Sequence, residues 1–371
     1  MQTIAAADVT SIIDLGAGSG TLSDAAIRHW MDISVTTIDI DASCEVAMRY
    51  QDSSGSHTHY TLDALDPDIT LKVSKAGFFD AALCNPPFRR IEWNDRYNRV
   101  LREAGLDQCF SSKGGNVAAE ALFLAQNVRL VRPGGSIGLI VSDSFISGRA
   151  AAPLRKRIVQ HHSIRAVVQL PKRAFSGTEA NSFLLVLTNK VASSEMISLY
   201  KFSLDEGLSD AIVVDQHSAE RRLDYDFHSI IRMNSNDTPL GSLGATINRG
   251  NISSVQLKIA PEFIFHTTDF GKWKSGEIHG PTLAQCHAQI GDILVARVDR
   301  ALETKVAIVR RGSFQVSDCV FIIRVPSQHK ERVFTALRTK EGQEKLKSLS
   351  RGVGARHISK TELLAFPIPE A

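Results

Sequence analysis

The chain has 371 residues, 43% hydrophobic and 22% charged, with a net charge of +3, a composition that supplies two or three apolar cores and excludes a disordered or fibrous protein. No run of about 18 apolar residues is present, so no membrane span is expected, and the first residues lack the basic-then-apolar order of a signal peptide. Five scattered cysteines, Cys44, Cys84, Cys109, Cys286 and Cys319, with no Cys-x-x-Cys spacing, exclude a disulfide scaffold and a cysteine zinc site, and predict a cytoplasmic protein without metal.

Over the first 190 residues short β-rich runs alternate with helical patterns. Val9–Leu15 reads as a strand, Leu22–Trp30 as a helix, Ser34–Ile40 as a strand, Ala42–Gln51 as a helix and Phe79–Leu83 as a strand. Ala118–Val131 reads as a long amphipathic helix, stopped by Pro133-Gly134-Gly135 ahead of the apolar strand Ser136–Val141. Leu154–Gln160 follows as a helix, then Ile164–Leu170 and Ser182–Leu187 as strands. This alternation predicts an α/β domain over residues 1–200, its sheet mostly parallel and covered on both faces. Residues 201–235 are acidic and irregular and read as a connector. In residues 236–371, strands Asp292–Val298, Lys305–Val309 and Cys319–Val325 and one helical stretch, Arg332–Ser348, predict a second domain of α+β character. Charge is uneven: residues 1–200 hold 20 basic and 20 acidic side chains, whereas 291–371 hold 15 and nine, a basic excess suited to a polyanion.

Asp14-Leu15-Gly16-Ala17-Gly18-Ser19-Gly20 follows the first strand. Its glycines let the backbone turn tightly and approach a ligand with no Cβ in the way. The spacing departs from the Gly-x-Gly-x-x-Gly of dinucleotide sites, because residue 21 is Thr, and leans toward a methionine-nucleoside cofactor. Asp39, at the end of the second strand, can accept both hydroxyls of a ribose, with Asp41 as the competing candidate, and Asp63 is placed to meet an adenine amino group. The candidate cofactor-binding set is Asp14, Gly16, Ala17, Gly18, Gly20, Asp39, Ile40, Asp63, Ala64 and Asn85. A second constellation is Cys84-Asn85-Pro86-Pro87-Phe88. Asn85 offers a side-chain carbonyl, the prolines hold the Pro86 carbonyl rigid, and Phe88 offers a stacking face. Two acceptors and a ring suit an exocyclic amino group on a flat heterocycle. Cys84 has no adjacent His or Lys to activate it and reads as a small core residue.

On Asp14–Gly20, Asp80–Phe88, Asn116–Phe123, Pro133-Gly134-Gly135 and Leu170–Thr178, the first 190 residues resemble the S-adenosylmethionine-dependent amino-methyltransferases that modify adenine N6 in DNA. Within these they are most similar to the modification subunits of type I restriction systems and their type II relatives. The resemblance implies a Rossmann-like fold, S-adenosylmethionine as cofactor, and Asn85, Pro86, Pro87 and Phe88 as the catalytic loop. It also implies that Phe175 lies on the other side of the extruded base from Phe88; the residue reads equally as a core position. Only about ten residues precede the first strand, so the helix that usually covers the cofactor's methionine end in this family is expected to be missing, or supplied by another segment or chain.

Residues 221–371 resemble a target-recognition domain of type I specificity subunits, on Arg222–Phe227, Leu240–Leu243, Ile290–Arg297, Val316-Ser317-Asp318, Phe321–Arg324, Ile358-Ser359-Lys360 and Phe366–Pro369. This implies double-stranded DNA as partner, with Arg297, Arg300, Lys305, Arg351, Arg356 and Lys360 as candidate DNA contacts. One such domain reads one half-site, which implies a homodimer or a separate specificity or restriction subunit, and no nuclease is evident. The function expected is transfer of a methyl group from S-adenosylmethionine to N6 of a flipped adenine in duplex DNA, within a restriction-modification system. The alternatives are a methyltransferase acting on an RNA base or a glutamine amino group, and a non-catalytic DNA-binding specificity protein.

Overall fold

The computed structural model describes residues 9–30, 32–44, 56–73, 78–110, 115–171, 174–175, 181–192, 195–233, 236–352 and 354–370. Most of the helix expected at Ala42–Gln51 lies outside them. The chain divides into two units, residues 1–225 and 226–371. Among the described residues no helix is long and apolar enough to cross a membrane.

The first unit runs β1 (Ser11–Leu15), α1 (Thr21–His29), β2 (Ser34–Asp39), β3 (Ser56–Thr61), α2 (Ile69–Val73), β4 (Phe79–Cys84), β5 (Arg90–Glu92), α3 (Arg96–Glu103), β6 (Asn116–Ala118), α4 (Ala119–Leu130), β7 (Val131–Ser142), α5 (Asp143–Ile146), α6 (Ala152–His161), β8 (Ser163–Gln169), β9 (Ser182–Thr188), β10 (Met196–Ser203), β11 (Gly207–Leu208), β12 (Ile212–Asp215) and α7 (Gln216–Arg221). One large sheet has the order β11-β10-β8-β9-β7-β4-β1-β2-β3, with β12 also paired to β10. Neighbours from β7 to β3 are parallel, and β9 runs antiparallel between β7 and β8. The expected mostly parallel α/β sheet is therefore present.

Successive residues of a strand face opposite sides of a sheet. Ile13, Leu15, Ala82 and Cys84 join the core built with α2, α3, α4 and α6. Ile12, Ala81 and Leu83 join the core on the other side, with Ala26 of α1. The central strands are thus buried on both sides, which explains why they read as unbroken apolar runs. At the amino end of the sheet Asp80 ties three strands together. It accepts from Thr10 N at 3.0 Å, Ser11 N at 3.1 Å and Arg132 Nε at 2.7 Å.

Residues 201–235, expected to be an irregular connector, instead carry the end of β10, β11, β12 and α7, and β10 to β12 extend the large sheet. Apolar residues of this stretch, Ile212 and Val214, are buried; the acidic residues around them, Asp205, Glu206, Asp210 and Asp215, sit in turns and at strand ends and mask a short alternation. A buried arginine fixes the same stretch. Arg155, fully enclosed on α6, donates to the carbonyls of Phe145 and Gly148 at 2.9 Å and to those of Glu220 and Arg221 at 3.2 and 2.8 Å.

The second unit runs α8 (Tyr225–Met233, which crosses the boundary), β13 (Thr238–Pro239), β14 (Thr246–Arg249), α9 (Ser254–Ile259), β15 (Ile264–Phe265), β16 (Glu277–Thr282), β17 (Ile293–Ala296), β18 (Val298–Asp299), β19 (Val306–Ser313), β20 (Gln315–Val316), β21 (Val320–Arg324), α10 (Lys330–Arg338), α11 (Lys340–Leu349), β22 (Arg356–His357), α12 (Lys360–Leu364) and β23 (Pro367–Ile368). Its main sheet has the order β14-β21-β17-β19-β16, giving the expected α+β character. The single helix expected at Arg332–Ser348 is two helices. Thr339 leaves the helical region with ψ 158° and its hydroxyl accepts from Gly342 N at 3.0 Å, so one residue ends α10 and caps α11. Gly342 is required there, because a Cβ would sit 1.8 Å from the Ala336 carbonyl oxygen.

Arg155→Ala removes a fully buried guanidinium that holds four carbonyls, and we expect it to cost about 3 kcal/mol or more of unfolding free energy, measured by urea denaturation.

Candidate active site

β1 and β4 pair in parallel from Ile12 opposite Ala81 to Leu15 opposite Cys84. The next residues on each strand, Gly16 and Asn85, therefore leave the sheet side by side. β2 lies on the other side of β1, with Ile38 opposite Leu15, and the Ile38 carbonyl accepts from Gly16 N at 2.8 Å and Ala17 N at 3.1 Å. The loop that follows needs its glycines. Gly16 has φ +70° and a Cβ there would press on Phe123 at 3.3 Å, while Gly18 has φ +52° and no atom within 4 Å of its missing Cβ. Gly20, also left-handed with φ 78°, opens α1. β1 lies where the strand order reverses, the position at which open α/β sheets bind ligands beyond their carboxyl ends.

Asp39 Oδ2 accepts from Gly18 N at 2.8 Å and Oδ1 from Asp41 N at 3.0 Å. A carboxylate has about four lone-pair sites, so both oxygens keep capacity for an outside donor. Ile40 beside it is 74% exposed, an apolar face at the rim of the same loop. Asp41 turns back on Ser43, accepting from its N–H at 2.9 Å and its hydroxyl at 2.7 Å. Asp63 accepts from Leu65 N at 2.9 Å and pairs with Arg96 at 2.9 Å; its neighbour Ala64 is buried. Asp14 is wholly buried. Its Oδ2 accepts from the Ser23 hydroxyl at 2.7 Å, and its Oδ1 has no hydrogen-bond partner among the described residues. Burial, opposed by the Ser23 hydrogen bond and reinforced by the charge of Asp39, pushes its carboxyl up to about 7.

At the end of β4, Pro86 is buried, Asn85 and Pro87 are exposed and Phe88 is half-buried. Among the described residues no hydrogen bond engages the Asn85 side chain or the Pro86 carbonyl, whereas the Pro87 carbonyl takes Arg89 N at 2.9 Å. The Arg89 carbonyl in turn accepts from Ala119 N at 3.0 Å, which anchors the loop to the start of α4. Phe175 is half-buried in the connection from β8 to β9. That connection leaves the same edge of the sheet as the Asn85 loop, since Gln169 and Ser142 lie opposite Phe183 and Ser182 on β9. Cys84 is buried, donates to the Leu15 carbonyl at 3.1 Å, and burial pushes its thiol up, so it is a packing residue and not a nucleophile.

Three participants had no role assigned from sequence: Ser23, which holds Asp14; Phe123, which backs Gly16; and Arg96, which pairs with Asp63. Their side chains meet the site only through folding, and nothing in their local spacing marks them.

In the second unit the six basic candidates separate. Arg297 Nε donates to the Asp318 carbonyl at 2.7 Å, Lys305 pairs with Asp299 at 2.6 Å, Arg351 pairs with Glu362 at 2.6 Å, and Arg356 donates to the Lys347 carbonyl. Arg300 and Lys360 are exposed. β18 and β22 pair, with Asp299 opposite Arg356, which brings the 299–305 and 350–357 loops together.

The raised carboxyl of Asp14 has a thermodynamic signature. Between about pH 4 and 7 the folded chain keeps a proton that the unfolded chain has lost, so the group favours folding at low pH and that contribution fades as pH rises through about 7. Asp14→Asn should therefore gain stability relative to the parent between about pH 5 and pH 8, by an amount on the order of a few kcal/mol, read by urea unfolding at both pH values.

Residues 36–210 match the family model described as N-6 DNA Methylase. Among curated proteins the chain is 26% identical over 245 residues to the Type II methyltransferase M.BsuBI of Bacillus subtilis, covering 60% of this chain and 45% of that protein. It is 33% identical over 78 residues to a tRNA1(Val) (adenine(37)-N6)-methyltransferase of Vibrio vulnificus, covering 21% and 32%. The chain thus spans less than half the length of these relatives. Among solved structures the type IIG restriction endonuclease BpuSI aligns with a TM-score of 0.52 at 12% identity, over 97% of this chain and 56% of that one; at that identity the likeness is one of fold. The match to the N-6 DNA Methylase model covers just under half of the chain; it takes in the Asp39, Asp63 and Asn85 loops, and the glycine loop at 16–20 precedes it.

Proposed function

We propose that this chain is a site-specific, adenine-specific DNA methyltransferase of a restriction-modification system, with methyl transfer in residues 1–225 and DNA target recognition in 226–371. The observation that carries the reading is the register of β1 and β4. Leu15 stands opposite Cys84, so a cofactor loop and a loop with two unengaged carbonyl acceptors emerge from neighbouring strands.

The residues present fit S-adenosylmethionine. The glycine loop leaves open space at Gly18, Asp39 keeps lone pairs for ribose hydroxyls, Ile40 offers an apolar face for the adenine ring, and the unpartnered Asp14 Oδ1 gives the floor of the loop a spare acceptor. Bound there, the cofactor supplies a methyl group on a cationic sulfur. The rest falls to the chain. Adenine N6 is a weak nucleophile because its lone pair is delocalised into the ring. The Asn85 side-chain carbonyl and the Pro86 carbonyl would each accept one of its N–H bonds, favouring a pyramidal nitrogen with a localised lone pair. That is positioning and electrostatic stabilisation without a covalent intermediate. The amino group is inaccessible inside a duplex, so the base must be extruded, and Phe88 and Phe175 would stack on its two faces. The basic surplus in 291–371 favours DNA as the polyanion, with a second copy or a separate specificity or restriction subunit completing the recognition site.

Purified chain with labelled S-adenosylmethionine should transfer methyl to N6 of adenine in duplex DNA. Asn85→Ala should lower the rate at least about a hundredfold with the melting temperature retained, since the residue is exposed; full transfer by that variant would refute the catalytic assignment. In the second unit, Arg300→Ala and Lys360→Ala should each weaken DNA binding and flatten its salt dependence by roughly one charge. Arg351→Ala should instead lower the melting temperature, because it removes the cation paired with the buried Glu362 carboxylate.

A further inference from the structure

Directly behind the Asn85 loop lies a cavity of about 430 Å³, within the range of small-molecule sites, about 300–1,000 Å³. It opens on the carboxyl edge of the sheet and is built from the segments that follow β4 and β7 and from the start of α4. It is distinct from the two loops described above, since no residue of 16–20 or 85–88 lines it. Its walls include the rings of Trp93 and Phe110, and its polar groups include Asn116 and the buried Glu120. Arg90 and Arg149 stand at its rim, both exposed. Arg90 donates to the Asn116 carbonyl, whereas the Arg149 side chain has no hydrogen bond or ion pair among the described residues. Glu120 is held in place by Ser142 N, which donates to its Oε1 at 2.6 Å.

Aromatic walls take a planar ring, an amide and a carboxyl read the edge of such a ring, and guanidinium groups at the mouth take a phosphate. We propose that this cavity is a second nucleotide site, and that it holds one base and phosphate of the substrate strand next to the extruded adenine. Its wall begins at Arg90, two residues beyond Phe88, within the reach of one nucleotide step. This rests on the adenine methyltransferase reading, and it assigns the site a task that Asn85 and Phe88 do not perform: gripping the strand that delivers the base.

The test uses the full chain and two substitutions at exposed positions, Arg149→Glu and Ala150→Trp, the second of which blocks the mouth. Cofactor binding by calorimetry and the melting temperature should match the parent in both. The KM for duplex DNA should rise about tenfold or more with kcat within about twofold, because chemistry at Asn85 is untouched. Parental KM in both variants overturns the site. Anisotropy with a labelled single-stranded oligonucleotide gives a readout that does not need turnover. Weaker binding in both variants supports the site even if the parent proves unable to methylate DNA, whereas equal binding in all three proteins overturns it. Deoxyadenosine monophosphate is added as competitor. Displacement of the oligonucleotide from the parent but not from Ala150→Trp assigns the same chemistry to a free nucleotide; no displacement, with weakened oligonucleotide binding, assigns it to the strand.

Discussion

The in-register parallel pairing of β1 with β4 is the constraint on which the rest of the first unit depends. A strand pair has a side-chain period of two, so a slip of one residue would turn each side chain of β1 or β4 to the opposite face. Ile13 and Cys84 would leave one core and Ile12 and Leu83 the other. The same slip would carry Gly16 away from Asn85 along the strand axis by about 3.3 Å, more than the reach of a hydrogen bond. Packing and chemistry therefore select the same register.

The two ends of the sheet are held by different means. At the amino end a single carboxylate, Asp80, gathers the starts of β1, β4 and β7. At the carboxyl end the bonds are between loops: Ile38 to the glycine loop, Arg89 to Ala119, Glu120 to Ser142. A rigid base beneath a set of separately tethered loops lets the loops respond to ligands while the strands that aim them stay fixed.

The glycine loop, the Asn85 string and the alternating pattern of the first domain were legible because each is local: a turn that needs positive φ, two prolines, a period of residues. The strands at 196–215 were not, because acidic turn residues interrupt an alternation that only sheet pairing completes. The break at Thr339 was hidden inside a continuous helical pattern, since a threonine that caps one helix also fits within another. The basic residues of the second unit could not be sorted from one another in sequence for the same reason. Arg351 and Arg356 look like DNA contacts in sequence, yet Glu362 and the Lys347 carbonyl, distant or unremarkable in the chain, engage them. Sequence shows that a guanidinium is present; only the fold shows what it already holds.

The four carbonyls around Arg155 carry a consequence for where the first unit can be divided. Two of them belong to Glu220 and Arg221, beyond the last strand of the large sheet. A fragment ending near residue 200 would keep the strand-end loops and most of the sheet, yet leave a desolvated cation facing the gap where two of its acceptors had been. The smallest autonomous fragment of the first unit must therefore run past Arg221, and the acidic stretch after residue 200 is a clasp that closes the unit.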